Sequence, residues 1–502
     1  MQSMKIALLL PPEKGRIISL KPTFPLGIGY IKALCERNRI HCDLFDFSAT
    51  ELTTEKLIMK YDLKAYDIIG ISSYSLIFDQ TALFIDQLKD RNNIIIVGGH
   101  HASLAGDKIL KDFPKVDFAI RGLGEYSFLF FVINFGTSRM YKTPGLIYRD
   151  NHNIIKENST YNVKFDLDKI PFGNREDIIY DFNNKKLIDV SQKVLTICSS
   201  RGCPYNCSYC VNCKSNYWLA RSVENVLAEC KLEFGKLKYR CVSFIDDNFF
   251  VNPLRAKRII EELRKLYPNI EISFQTRSDQ IVNNKTTIIE LANSGKLHIS
   301  LGIESNSNEV LKRYNKQTDN KINQKAIDIL RSCNIDISVF IIMFEALESL
   351  RDIRISFDFL KNNNLCNYDT RENLYQTLIP FYGTTYYNKY HQFYEGSIHG
   401  KSVPKFVNSD VSSLYHAMCQ FQNEYDVSLS SLVLSISEKE PNSGENRLDL
   451  FFFIHIEYAV FEYFLTMSEK FGVCSYDEFK KSKLCKLLDN KIKKYYRHIN
   501  YN

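Results

Sequence analysis

The sequence predicts an α/β protein: two successive strand–helix series followed by a helical C-terminal region. Three observations carry this. Between residues 1 and 140, and again between 193 and 388, short apolar runs rich in Ile and Val alternate with amphipathic stretches of helical period. That alternation marks parallel strands covered on both faces by crossover helices. After about residue 389 it gives way to aromatic, helix-forming sequence. At 502 residues the chain is too long for one core, so several domains are expected.

In the first series, KIALLL, HCDLFDF, YDIIGISS, NIIIVGG and VDFAIRG supply about five strands of a Rossmann-type, doubly wound sheet. Ligands of such sheets lie at the carboxyl ends of the strands. Those ends carry small or turn-forming residues: Ser72 and Ser73 before Tyr74, Gly98 and Gly99 before His100, and Gly122 and Gly124 before Glu125. Residues 141–192, punctuated by Asp, Asn, Gly and Pro, read as a small hairpin and a polar connector. From Val194 six further strand–helix units, VLTIC to LYQTLIPF, suggest a partial (β/α)6 barrel of the TIM type rather than a closed eight-unit one. Residues 389–502 form the helical C-terminal domain, whose Lys-rich end reads as a solvated helix face.

Apolar residues at 45% and charged residues at 25% exclude a fibrous or largely disordered chain. The net charge of +7 over this length is too mild to imply nucleic acid. The opening MQSMKIALLLPP is too short in its apolar run for an export signal. The apolar stretch 448–467 carries Asp449, His455, Glu457 and Glu462, so it reads as a buried helix rather than a membrane span. The expected location is the cytoplasm, where the 14 cysteines stay reduced and clustered thiols serve as metal ligands or catalytic groups.

RGCPYNCSYCVNC, residues 201–213, concentrates that chemistry. Structural zinc would want two ligand pairs, and no second CxxC or HxxxH lies near Cys210 and Cys213. Simple burial has little core to work with in a Gly- and Pro-containing loop. The third reading is a [4Fe–4S] cluster on Cys203, Cys207 and Cys210 that leaves one iron without a protein ligand. The loop follows the first strand of the barrel series, at the end where barrels build their sites.

These residues resemble the radical S-adenosylmethionine superfamily, whose CxxxCxΦC motif, with Φ aromatic, matches Cys203, Cys207, Tyr209 and Cys210. Further matches follow in order: FIDDNFFVN with Asp246 and Asp247, QTRSD with Arg277, and GIES with Glu304. The resemblance implies that Asp246 or Asp247 faces the amino group of S-adenosylmethionine, Arg277 its carboxylate and Glu304 a ribose hydroxyl. The bland readings are a helix cap for either Asp and surface ion pairs for Arg277 and Glu304. One departure is IIMFEALESLRD after the fifth strand, which lacks the Gly- and Pro-containing turn of many relatives.

A Rossmann-type domain ahead of such a barrel resembles the cobalamin-binding class of that superfamily, through FPLGIGYIKAL, IIGISS, IIIVGGHHASL and VDFAIRGLGEYSF. No DxHxxG occurs in the first domain, which implies cobalamin held with its own base displaced. Ser72, Ser73, Tyr74, Gly98, Gly99, His100, Gly122 and Glu125 are the cobalamin contacts so implied. His100 and His101 read more readily as hydrogen-bonded loop residues than as cobalt ligands. The function implied is methylation of an unactivated carbon of a small metabolite or peptide, with an electron donor such as flavodoxin or ferredoxin. Membrane and nucleic-acid partners are not expected. The rivals are a cyclase or redox enzyme with the same cofactors, a transfer-RNA methylthiotransferase, for which only Cys35 and Cys42 precede Cys198, and a metal-stabilised binding protein without enzymatic activity.

Overall fold

The computed structural model describes residues 4–13, 24–160, 165–181, 194–214, 217–366, 368–438 and 444–499. β1 (Ile6–Leu10), β2 (Asp43–Asp46), β3 (Ile68–Ser72), β4 (Ile94–Gly98) and β5 (Phe118–Ile120) are parallel in the order β5-β4-β3-β1-β2. Strand order reverses between β3 and β1, the switch point at which such sheets open a crevice. Alternation along each strand covers both faces. Ile69, Ile71, Ile95 and Val97 bury against the helix Phe78–Leu88. Ile68, Ile96, Phe118 and Ile120 bury against Leu26–Arg37 and Gly124–Ile133.

The 141–192 segment contributes strands to both edges of this sheet. β6 (Leu146–Arg149) and β7 (Ile155–Glu157) form a hairpin antiparallel to β5, and β8 (Ile179–Tyr180) adds to β2. The hairpin therefore closes one edge of the first domain instead of standing apart from it.

The second sheet runs β15-β14-β13-β12-β9, all parallel: β9 (Val194–Ile197), β12 (Cys241–Phe244), β13 (Glu271–Arg277), β14 (Leu297–Glu304) and β15 (Asp336–Ile341). Between β9 and β12, β10 (Ser200–Arg201) pairs antiparallel with β11 (Leu219–Ala220). The sixth unit narrows to one parallel bridge, Phe344 to Thr377. One face, with Ile272, Phe274, Ile299, Leu301 and Val339, is buried beneath the helices. The other carries half-buried Ser243, Ser273, Gln275, Ser300 and Ser338, where a closed barrel would place bulky aliphatic residues. The open barrel thus has a polar, unfilled concave side.

Long helices Ser409–Glu438 and Gly444–Phe471 share the barrel's core. Leu448–Phe471 is, by length and composition, long and apolar enough to cross a membrane. Three of its charges are paired with the barrel: Glu457 with Arg371 at 3.1 Å, Glu462 with Lys361 and Glu469 with Arg354, both at 2.6 Å. The basic end forms the helix Lys483–Ile499, whose Cys485 and Leu488 are buried, whose Lys483, Lys486, Lys493 and Lys494 are exposed, and whose Lys491 pairs with Asp449 at 2.6 Å.

Candidate functional site

The cysteine loop is held at both ends. The β10–β11 pair closes its base, and Gly202, at φ +79°, brings its backbone so near Tyr217 that a Cβ would lie 2.4 Å from the Tyr217 carbonyl oxygen. Only glycine fits there. At the far end Ser208 N–H donates to the Tyr314 carbonyl at 2.8 Å and Asn315 Nδ2 to that of Asn206 at 2.8 Å. Cys207 is buried, whereas Cys203 and Cys210 are half-buried and free of disulfides. Burial, with the neighbouring thiols, pushes Cys210 up to about 12 and raises Cys203 as well. Thiolates in such surroundings require a metal's positive charge. Among the described residues no three His, Cys, Asp or Glu side chains converge on a single-ion position. Cys203, Cys207 and Cys210 lie near enough to act electrostatically on one another, and three thiolates are a donor set that an iron–sulfur cluster takes. The Cys213 side chain lies outside the described residues.

The two aspartates diverge. Asp246 is buried and accepts from Ser199 N at 2.7 Å, Ser199 Oγ at 2.6 Å and Ser200 Oγ at 2.5 Å. It binds the end of β9 to the end of β12 through these three hydrogen bonds. Asp247 is exposed, accepts from Gly202 N at 3.0 Å and adds its negative charge beside Cys203 and Cys210. Next to it, buried Asn248 accepts from Thr276 Oγ1 at 2.9 Å while its amide Nδ2 has no partner among the described residues. A buried amide donor left open is the kind of atom a ligand satisfies.

Arg277 departs from the carboxylate-gripping role. It is buried beneath the cysteine loop, ion-paired with Asp279 at 2.9 Å, 3.5 Å from Cys207 Sγ through Nη1, and stacked 3.9 Å from the Tyr205 ring centre. With its donors so engaged, it supports the loop from below. Glu304 sits at φ +65° where β14 shifts register between Gly302 and Glu304. A non-glycine residue held there stores strain, and the bulge re-aims its side chain. Its carboxylate accepts from buried Lys316 Nζ at 3.0 Å. The Tyr209 hydroxyl lies beside it, held well above its ordinary value by burial and then by the Glu304 charge. Lys316 was missed in the sequence although it ends the same GIES-containing segment, because its approach to Glu304 depends on left-handed Asn315 and Gln317. Glu345, in IIMFEALES, is also new: it is buried and paired with Arg313 at 2.7 Å.

In the first domain the loops after β3 and β4 meet. Gly99, at φ +92°, brings its α-carbon so close that a Cβ would stand 2.6 Å from the Ser73 carbonyl oxygen. His101 N–H donates to that oxygen at 3.3 Å. Gly98 faces open space, with no atom within 4 Å of its Cβ position. A ligand's flat edge could reach the backbone there, which fits a bulky cofactor at the switch point. Tyr74 is partly exposed with its hydroxyl on Glu13, His100 is exposed, and Gly122 N–H donates to Ser103 Oγ at 3.0 Å. Glu125 is different: it turns from this crevice into a buried ion pair, at 2.5 Å, with Arg201 of the cysteine loop. Cys35 and Cys42 are buried together, far from cluster duty.

Comparison with known proteins follows the same division. A radical SAM superfamily model matches residues 197–359, and a B12 binding domain model matches residues 19–130. An uncharacterized methyltransferase of Pyrococcus horikoshii is 28% identical over 327 residues, covering 63% of this chain and 69% of that protein. The 4'-phospho-dehydrooxetanocin synthase of Priestia megaterium is 27% identical over 375 residues, 68% of this chain and 49% of that protein, so the chain spans about half that enzyme's length. A solved cobalamin-dependent S-adenosylmethionine radical enzyme with aqua-cobalamin and S-adenosylmethionine bound superposes with a TM-score of 0.72. At 18% identity, covering 92% of this chain and 72% of that one, it shows the shared fold.

Proposed function

The chain belongs to the radical SAM superfamily and carries a B12 binding domain, and from that premise we propose that this cobalamin-dependent radical enzyme methylates an unactivated carbon of a small molecule or peptide. The observation that carries the reading is the Glu125–Arg201 ion pair. It sets the helix that follows β5 of the B12 domain against a residue two positions before Cys203, bringing one strand end of each sheet together. When bound, the iron–sulfur cluster with S-adenosylmethionine supplies one-electron radical chemistry and cobalamin a transferable methyl group.

The chain's own residues do the holding. Cys203, Cys207 and Cys210 ligate the cluster. Asp247, the exposed member of its pair, takes the amine of S-adenosylmethionine, and Asn248 Nδ2 offers a hydrogen bond beside it. Glu304, fixed by Lys316, accepts from a ribose hydroxyl, with Tyr209 closing that side. Asp246 and Arg277 act as positioning residues. Ser72, Ser73, Tyr74, Gly98, Gly99, His100 and Gly122 line the cobalamin crevice. A one-electron donor such as flavodoxin or ferredoxin serves the cluster.

A second reading, rearrangement or ring closure without methyl transfer, is favoured by a relative named as an anaerobic magnesium-protoporphyrin IX monomethyl ester cyclase. The two separate by mass. Turnover with methyl-deuterated S-adenosylmethionine gives a product heavier by one labelled methyl group under the methyltransferase reading. A product that loses hydrogen and carries no label would support the second reading instead.

A further inference from the structure

A hairpin from the C-terminal region reaches into the first domain. β16 (Tyr394–Gly396) pairs antiparallel with β17 (Ser402–Pro404), and the tip carries His399, 4% exposed, into a socket beside Phe78 and Phe113, ring centres 5.7 and 4.7 Å away. Its base is fastened to the barrel side: the Tyr394 hydroxyl lies 3.1 Å from that of Tyr386 and accepts from Ala346 N–H at 3.4 Å. Its tip is fastened to the B12 domain: Asp79 N–H donates to the His399 carbonyl at 2.7 Å. The Asp79 carboxylate lies against Gly400, 1.8 Å from where a Cβ there would stand.

Inside the socket four side chains form a line. Ser75 Oγ lies 3.0 Å from His101 Nδ1, His101 Nε2 2.9 Å from His399 Nδ1, and His399 Nε2 2.9 Å from Asp112 Oδ2. The Asp112 carboxylate only accepts, so His399 carries a proton on Nε2. Burial, then His399, holds His101 down to about 3, so its ring is neutral, with one donor and one acceptor nitrogen. The bond it makes to His399 therefore fixes the direction of its bond to Ser75, and with it the orientation of the Ser75 hydroxyl. That hydroxyl lies in the turn after β3, beside Ser72, Ser73 and Tyr74.

We infer that His399 is a positioning residue for the cobalamin crevice, one that through His101 orients the Ser75 hydroxyl toward an amide on the rim of the corrin. The inference rests on the proposed crevice at Ser72–Tyr74 and Gly98–His100. The hairpin thereby makes the barrel side and the cobalamin loop parts of one assembly.

The test is titration of the full chain with aquacobalamin, followed by the visible bands of the bound corrin. His399→Phe, which keeps a ring among Phe78 and Phe113, and Ser75→Ala each weaken binding about tenfold, the value of one neutral hydrogen bond. The double variant loses no more than either single one, and both shift the bound corrin bands in the same direction. Iron content of His399→Phe stays at its wild-type value, while its melting temperature falls by a few degrees because buried His101 loses a partner. Wild-type affinity in either single variant, or losses that add in the double variant, overturns the inference. Gly98→Leu, which fills the open space at β4, separates the two levels. If it abolishes binding while His399→Phe does not weaken it, only the relay falls. If Gly98→Leu still binds aquacobalamin, the crevice falls and the relay with it.

Discussion

At the residue scale, neighbouring side chains of one type do opposite work. Asp246 and Asp247 are equivalent in the sequence, yet one accepts three buried hydrogen bonds and the other stands exposed beside the cysteines. Asp246→Ala strands three donors and should lower stability by about 3 kcal/mol, read by thermal unfolding. Asp247→Asn should leave stability within about 0.5 kcal/mol and weaken S-adenosylmethionine binding about tenfold, read by equilibrium dialysis. Cys203, Cys207 and Cys210 were legible because their spacing is itself the signal. Arg277 and Glu125 were legible as important residues but not in their partners, because Asp279, Cys207 and Arg201 are set by the fold. A pH effect belongs here too. His101 falls from 6.5 to about 3 in the folded state. Between those values the unfolded chain binds a proton that the folded chain refuses, so stability from this group is full above about 6.5 and is lost as pH falls toward 3. Urea midpoints should therefore drop between pH 7.5 and 5.5, and His101→Leu should flatten that drop.

At the element scale, the strands of the barrel were readable from β-rich apolar runs bounded by turns, and the helices between them from their period. LYQTLIPF reads as a sixth strand by composition but makes a single bridge. Asn373 is the physical reason. Its side chain accepts from Ile341 N–H at 3.1 Å and donates to the Val339 carbonyl at 2.9 Å, taking over the edge bonds that a strand's backbone would have made. Asn373→Ala should cost about 2 kcal/mol in thermal unfolding by leaving those β15 groups unpaired. The hairpin at residues 394–404 had no such signature. His399 meets His101 across 298 positions, a distance no local pattern can bridge. The 141–192 segment likewise read as a connector because its strands are only two to four residues long and pair with elements far away.

At the scale of the whole molecule, two parallel sheets with strand-end crevices are joined through buried polar contacts. Tyr30 hydrogen-bonds Glu229, itself paired with Arg221 on the barrel side at 2.5 Å, across 3.4 Å, and Glu125 pairs with Arg201. Charges buried in this way are costly to separate, so the two crevices keep one relative placement. The central claim is that one chain carries two cofactors facing a common space. Anaerobic reconstitution, followed by iron, sulfide and cobalt analysis of the native chain and of Cys203→Ala, tests it most directly. The account predicts about four irons and one cobalt per native chain, and a variant that loses iron but keeps cobalt. Zinc in place of iron, or iron without cobalt in the native chain, would contradict it.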